Sequence, residues 1–232
     1  MRAEAVASDA LKRAERCGDA TGMSIAWGVL GRVAKAQGRR EEAIACLTEG
    51  LSHPGLTAYV SIWGLTHRMR KDLAWARGDL AEAARLALEG KQRALAAGIP
   101  FVVAGDTTTL GHLAQQQGNY AEAEAAYREA LELYQTFGVS SYTSWCREGV
   151  AAVLCAEMKY HELVRLCAAA AALREQNSTP LPPAERANFE QALASARIAL
   201  GDADFEREWA IGAEYEQQAA IDYALSALPA SA

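Results

Sequence analysis

The chain has 232 residues, 51% of them hydrophobic, with a formal net charge of −6. That length and apolar content can bury a continuous core within one elongated domain, and the acidic balance argues against a nucleic-acid surface, which needs a basic stripe. No apolar run approaches the ~18 residues of a membrane span, and Met1–Gly18 carries scattered charges where a signal peptide needs an apolar core. Five cysteines without close pairing suit a reducing cytoplasm. Cys17, Cys46, Cys146, Cys155 and Cys167 read as small buried apolar residues.

The predicted elements are all helical. A first helix covers residues 2–17. A helix pair follows at about 20–52, with Trp27, Leu30, Gly31 and Ala34 on its first helix, Ala43, Leu47 and Leu51 on its second, and a stop at His53-Pro54-Gly55. A second pair, at about 56–97, carries Arg70-Lys71 where its neighbours have smaller or apolar residues. Those two cations either snorkel to solvent or form an anion-binding spot.

The third pair, at about 100–137, opens on Pro100, which suits a first helical turn. Leu110 and Ala114 repeat at helical spacing, Gly118 suits a left-handed stop, and Ala123, Tyr127, Ala130, Leu131 and Tyr134 form one apolar face. A fourth, degenerate pair spans about 140–176 with Val150, Ala151, Leu154, Leu163 and Cys167 on its face. Asn177–Pro183 reads as a turn and extended segment, since proline biases the residue before it away from helix. Three helices follow at about 183–200, 203–213 and 215–227, marked by Phe189 and Leu193, by Phe205 and Trp209, and by Ile221 and Leu225.

A constant step aligns these pairs. Gly38, Gly78 and Gly118 share a column with Met158, and Glu42, Glu82, Glu122 and Glu162 share another. Gly50, Gly90, Ala130 and Ala170 form a small-residue column, and Gly18, Gly98 and Gly138 form a fourth from which Ala58 departs. A fixed period of this length marks stacked supersecondary units, none of which buries its apolar face alone. One step back maps Ala43 to Ala3 and Leu51 to Leu11, so the helix at 2–17 corresponds to the second half of a pair. On that ground the chain is expected to be a piece of a longer protein, the alternative being a lone capping helix.

The order Leu110-Gly111, Ala114, Gly118, Tyr120, Ala123, Tyr127, Ala130 resembles the tetratricopeptide repeat. Long units, of about 40 residues, are similar to repeats in the C-terminal regions of bacterial multidomain regulators of the MalT-like, LuxR-type and signal-transduction ATPase kind. The segment from Ala172 to Gly212, with Pro180-Leu181-Pro182-Pro183, Phe189, Leu200-Gly201, Phe205 and Trp209, resembles their closing segment. The resemblance implies an all-α, right-handed superhelical solenoid, with repeats over 1–176 and a three-helix cap over 177–232.

It also implies a concave wall lined by first-helix residues. By position these are Arg32 and Lys35 in the first pair and Arg68, Asp72 and Trp75 in the second. Thr108, His112 and Gln115 follow in the third, and Trp145 and Glu148 in the fourth. Cations, amides and large aromatics on one wall suit a peptide, a protein or a small polar ligand.

No phosphate-binding loop, zinc-protease helix or nucleophile elbow occurs, and the four histidines lack ligand-spaced partners. Neither a catalytic group, a metal nor a cofactor is expected. The function implied is a non-catalytic, cytoplasmic sensor module that binds a ligand or protein and works with upstream domains of a regulator. The alternative is a free-standing adaptor bridging proteins.

Overall fold

The computed structural model describes residues 2–53, 60–137, 143–176, 181 and 183–228. Pro54, Gly55, Ala58, Gly138 and the turn at 177–180 lie outside them. Among the described residues there are twelve helices and no strand. They run α1 (Arg2–Cys17), α2 (Ala20–Ala36), α3 (Arg40–Ser52), α4 (Val60–Arg77), α5 (Leu80–Ala96) and α6 (Pro100–Gln116). The second half is α7 (Tyr120–Phe137), α8 (Thr143–Ala156), α9 (Tyr160–Gln176), α10 (Pro183–Leu200), α11 (Asp202–Ala213) and α12 (Gln217–Ala227). The fold is an all-α, tetratricopeptide-repeat-like solenoid of helix pairs.

The glycine comb sets the pairs. Gly38, Gly78 and Gly118 have φ of 75°, 82° and 78°, a left-handed conformation that costs glycine nothing. At each, two backbone bonds close the preceding helix, as where Gly118 N–H donates to Gln115 O at 3.0 Å and Asn119 N–H to Ala114 O at 2.9 Å. Met158 takes the same conformation at φ 59°, with Lys159 N–H donating to Leu154 O at 2.9 Å. The register of the fold thus persists where its preferred residue is lost.

Two compact units form, Met1–Gly90 with Pro182–Ala184 and Lys91–Leu181 with Glu185–Ala232, so the division falls within α5. In the first, Leu47, Met69 and Leu73 make the core, flanked by Ile44, Leu51 and Leu65. Small residues on α2 allow that packing: a Cβ on Gly31 would lie 2.6 Å from Leu47 Cγ, and one on Gly28 3.0 Å from Met69 Sδ. Ser24 Oγ donates to Gly50 O at 2.6 Å, which satisfies a hydroxyl in the same seam.

In the second unit Tyr127, Leu131, Val150, Leu154, Leu163 and Leu166 are buried in one cluster that Ala196, Phe205 and Ile221 join. Full burial of side chains the size of Leu131 stabilises by about 2 kcal/mol each. Tyr127 is fully enclosed. Its ring occupies the space that a side chain on Gly111 or Gly149 would fill, so it wedges between α6 and α8. Helix α11 docks on α9 by direct backbone approach, since a Cβ on Gly212 would strike the Arg165 backbone. Beside that contact Glu208 accepts from Arg165 and, at 3.2 Å, pairs with His161 Nδ1.

Candidate functional site

The wall residues of the first unit gather on α2 and α4. Lys35 Nζ lies 2.9 Å from Asp72 Oδ1 and 4.2 Å from the centroid of the Trp75 ring. Helical spacing produces this cluster: Arg32 and Lys35 are one turn apart on α2, and Arg68, Asp72 and Trp75 follow at steps of four and three on α4. Arg32 and Arg68 are exposed, Trp75 is half-buried and Asp72 is buried. Burial alone would raise the Asp72 pKa. The charge and hydrogen bond of Lys35, with the charges of Lys71 and Arg68, outweigh burial and hold it below the ordinary carboxylate range. The face therefore combines an ionised carboxylate, a cation stacked on an aromatic ring, and two arginines at the surface.

Arg70 is exposed but Lys71 is buried, so the expectation that both snorkel to solvent is corrected. Lys71 occupies the column of Gly31 and Gly111, which faces the second helix, and its burial follows from that register.

The second unit places its predicted residues differently. Thr108 is fully buried, its hydroxyl donating to Ala104 O at 2.9 Å and lying 3.4 Å from Tyr134 Oη. It is a core residue and no part of an open wall, because this turn of α6 faces the α7 tyrosines. His112 meets the Tyr127 ring edge-on at 5.2 Å, and Gln115 Oε1 accepts from Tyr127 Oη at 2.8 Å. Both remain half-buried. Glu148 pairs with Arg174 of α9 and is largely enclosed. Trp145 has no described side chain. His112, Gln115 and Glu148 are thus engaged with the second helices of their own pairs.

Arg147 was missed by the sequence reading. It is 3% exposed, and its Nε and Nη1 have no hydrogen-bond partner among the described residues. Burial, and then the nearby Arg174, pull its pKa down to about 10. The repeat step does point to it, since Arg147 continues the column Trp27, His67, Thr107, of which His67 and Thr107 are also buried. Also unforeseen is the anchor of the last helix, where Arg128 donates to Leu225 O at 2.8 Å and to Leu228 O.

Among the described residues no group of His, Cys, Asp and Glu could hold a metal ion. Burial pushes the Cys146 and Cys167 thiols up to about 12, which fits packing residues and not nucleophiles. Cys17 is exposed, and with the half-buried Cys155 it corrects the reading of all five as buried. It lies in the last turn of α1, off the stripe of Ala7, Leu11 and Ala14 that this helix buries. No described helix is long and apolar enough to cross a membrane.

Comparison with known proteins agrees with the repeat fold. Models of the tetratricopeptide repeat match residues 25–52 and 108–137, which correspond to the α2–α3 and α6–α7 pairs. No curated protein matches the chain. The crystal structure of BtubC (BKLC) from P. vanneervenii is similar with a TM-score of 0.56 and 18% identity, over 93% of this chain and 92% of that one. A likeness at that identity speaks for the fold alone.

Proposed function

We propose that the chain is a protein-binding repeat module whose α2–α4 face receives an extended peptide segment bearing carboxylates. The observation that carries this reading is the cluster itself, with Lys35 held 2.9 Å from Asp72 and stacked on Trp75, and Arg32 and Arg68 exposed on the flanking turns. A tryptophan whose neighbours are already ordered loses little entropy on binding and serves as an anchor. Exposed arginines beside it favour an anionic partner and bind carboxylates bidentately. The tetratricopeptide-repeat matches support a protein-binding scaffold role, since such repeats generally bind peptides or proteins and are generally non-catalytic.

In its finer form, the module is the cytoplasmic sensor or partner-binding region of a bacterial signalling or transcriptional regulator, acting with upstream domains. The long repeat period and the resemblance of Ala172–Gly212 to a closing segment support that form. The test is selection of short peptides from a displayed library on the intact chain, followed by affinity measurements with the wild type and Trp75→Ala. Enriched peptides are expected to carry Asp or Glu and to bind Trp75→Ala at least tenfold more weakly, with stability changed by under about 1 kcal/mol. Equal affinity for both proteins, or an enrichment of uncharged peptides, would refute the assignment.

A further inference from the structure

Two guanidinium groups meet in the fourth helix pair. Arg147 lies near the start of α8, and Arg174 lies in the last turn of α9. A short turn joins these packed helices, so the start of one stands beside the end of the other. Arg147 is buried. The Arg174 and Glu148 side chains are 10% and 14% exposed, so the cluster reaches solvent at one edge.

Charge does not balance in this cluster. Glu148, next to Arg147 in sequence, pairs with Arg174 instead. The adjacent Cys146 thiol, with its pKa pushed up to about 12 by burial, is neutral at pH 7. Two cations therefore share one carboxylate, and Arg147 Nε and Nη1 have no hydrogen-bond partner among the described residues. Burial, and then the like charge of Arg174, act against the charged form of Arg147, yet its pKa of about 10 keeps it ionised at pH 7. His67, one column-mate of Arg147, shows the satisfied case, with Leu86 O of its own pair 2.6 Å from Nε2. A water molecule would complete the hydrogen bonds of a guanidinium but would leave its charge. An enclosed net charge is the costlier deficit, and an anion removes both.

We infer that this end of the α8–α9 pair binds a small oxyanion, the phosphate or carboxylate group of a ligand, with Arg147 as its buried donor and Arg174 as its second cation. Guanidinium N–H groups match the oxygens of such anions, and a charge-assisted bond gains strength where water is excluded. Glu148 limits the affinity, because it already engages Arg174. The site is separate from the α2–α4 face, since it belongs to the other compact unit and uses none of that face's residues.

The test follows thermal melting of the intact chain at constant ionic strength while sodium phosphate, or in a second series sodium acetate, replaces sodium chloride. A saturable rise in Tm is expected, by about 3–6 °C at roughly ten times the Kd. The anion with the lower midpoint concentration identifies the ligand group as phosphate or carboxylate. Arg147→Met is expected to abolish the rise. Arg70→Gln, at an exposed position of α4, is expected to retain it. Glu148→Gln is expected to bind the anion more tightly, by roughly threefold or more, because both cations then face it without a competing carboxylate. A merely structural Arg147 would give no such gain. The inference is overturned by the absence of a saturable rise with either anion, by an equal rise in Arg147→Met, or by affinity that Glu148→Gln leaves unchanged or lowers.

Discussion

The α2–α4 face and the α6–α8 region hold corresponding positions of one repeat, yet they use them oppositely. In the first, Lys35 on α2 and Asp72 and Trp75 on α4 join one first helix to the next across a polar face. In the second, His112, Gln115 and Glu148 turn to the second helix of their own pair, to Tyr127 or Arg174. The difference begins with side-chain volume at two columns. Gly111 on α6 admits Tyr127 of α7, and Gly31 on α2 admits Leu47 of α3. At the corresponding positions between them stand Lys71 and Ala87, both buried, with the large residue now on the first helix. A repeat tolerates either order so long as the summed volume is kept. Where Tyr127 fills the seam, it also supplies a hydroxyl and a ring edge that draw nearby polar residues inward. Where Ala87 stands there is no such hydroxyl or ring, and Arg68 stays exposed while Asp72 is buried against Lys35.

The largest expected effect comes from breaking the tyrosine order. Gly111→Leu would put a side chain into the Tyr127 ring, whose Cε1 is 2.6 Å from the position of a Cβ. Overpacking of this kind costs about 3 kcal/mol, or a fall in Tm of roughly 6–12 °C for a chain of this size. Lys71→Met, at the same column of the first unit, is expected to change stability by under about 1 kcal/mol, since it keeps the stem volume and removes a buried charge. Equal losses in thermal melts of the two variants would refute the volume argument.

That contrast also shows what the sequence made legible. The helix pairs were readable because glycine at a left-handed stop and small residues at close crossings recur once per repeat, and backbone geometry admits few substitutes there. Lys35, Asp72 and Trp75 were placed on one wall by the resemblance, and helical spacing accounts only for Asp72 and Trp75 sharing a face of α4. Which way Thr108 or Gln115 turns was not readable. Spacing puts a residue on a helix face, whereas the size of a residue on another helix, Tyr127, decides what that face meets. The α6 run Asp106-Thr107-Thr108-Thr109 is buried throughout although none of the four is apolar, so hydrophobic periodicity could not mark it as core.

The next effect has the opposite sign. His67 and Arg147 share a column, but His67 Nε2 has Leu86 O at 2.6 Å, while Arg147 lacks partners for Nε and Nη1 among the described residues. A buried charge left in that state destabilises the fold, and an apolar residue of similar shape relieves it. Arg147→Met is expected to stabilise by about 1–3 kcal/mol in urea unfolding, and His67→Met to destabilise by about 1 kcal/mol through the lost hydrogen bond. A loss of stability in Arg147→Met would show that the guanidinium is satisfied in solution. A smaller gain is expected from Met158→Gly. Its three counterparts in the comb are glycines, and a left-handed non-glycine residue costs about 1 kcal/mol. Because Met158 is 71% exposed, little packing is lost with its side chain. A fall in Tm on this substitution would mean that the side chain contributes more than its conformation costs.

The smallest effect separates the units by pH. Where the other pairs have Ile44 and Ala84, the α7 pair has Glu124, which is buried. Burial first, and then the charge of Glu157, raise its pKa, with Lys159 opposing. A carboxyl whose pKa is raised on folding favours the native state fully only below its unfolded value, near 4.5. That contribution is lost as pH rises through the folded value, so at neutral pH the ionised group weighs against the fold. Glutamine reproduces the protonated form at every pH. Glu124→Gln is therefore expected to raise Tm at pH 7 by about 2 °C, where 1 kcal/mol corresponds to roughly 2–4 °C, and to lose most of that gain at pH 4. A gain of equal size at both values would assign the effect to packing, because a change of shape without a change of charge is blind to pH.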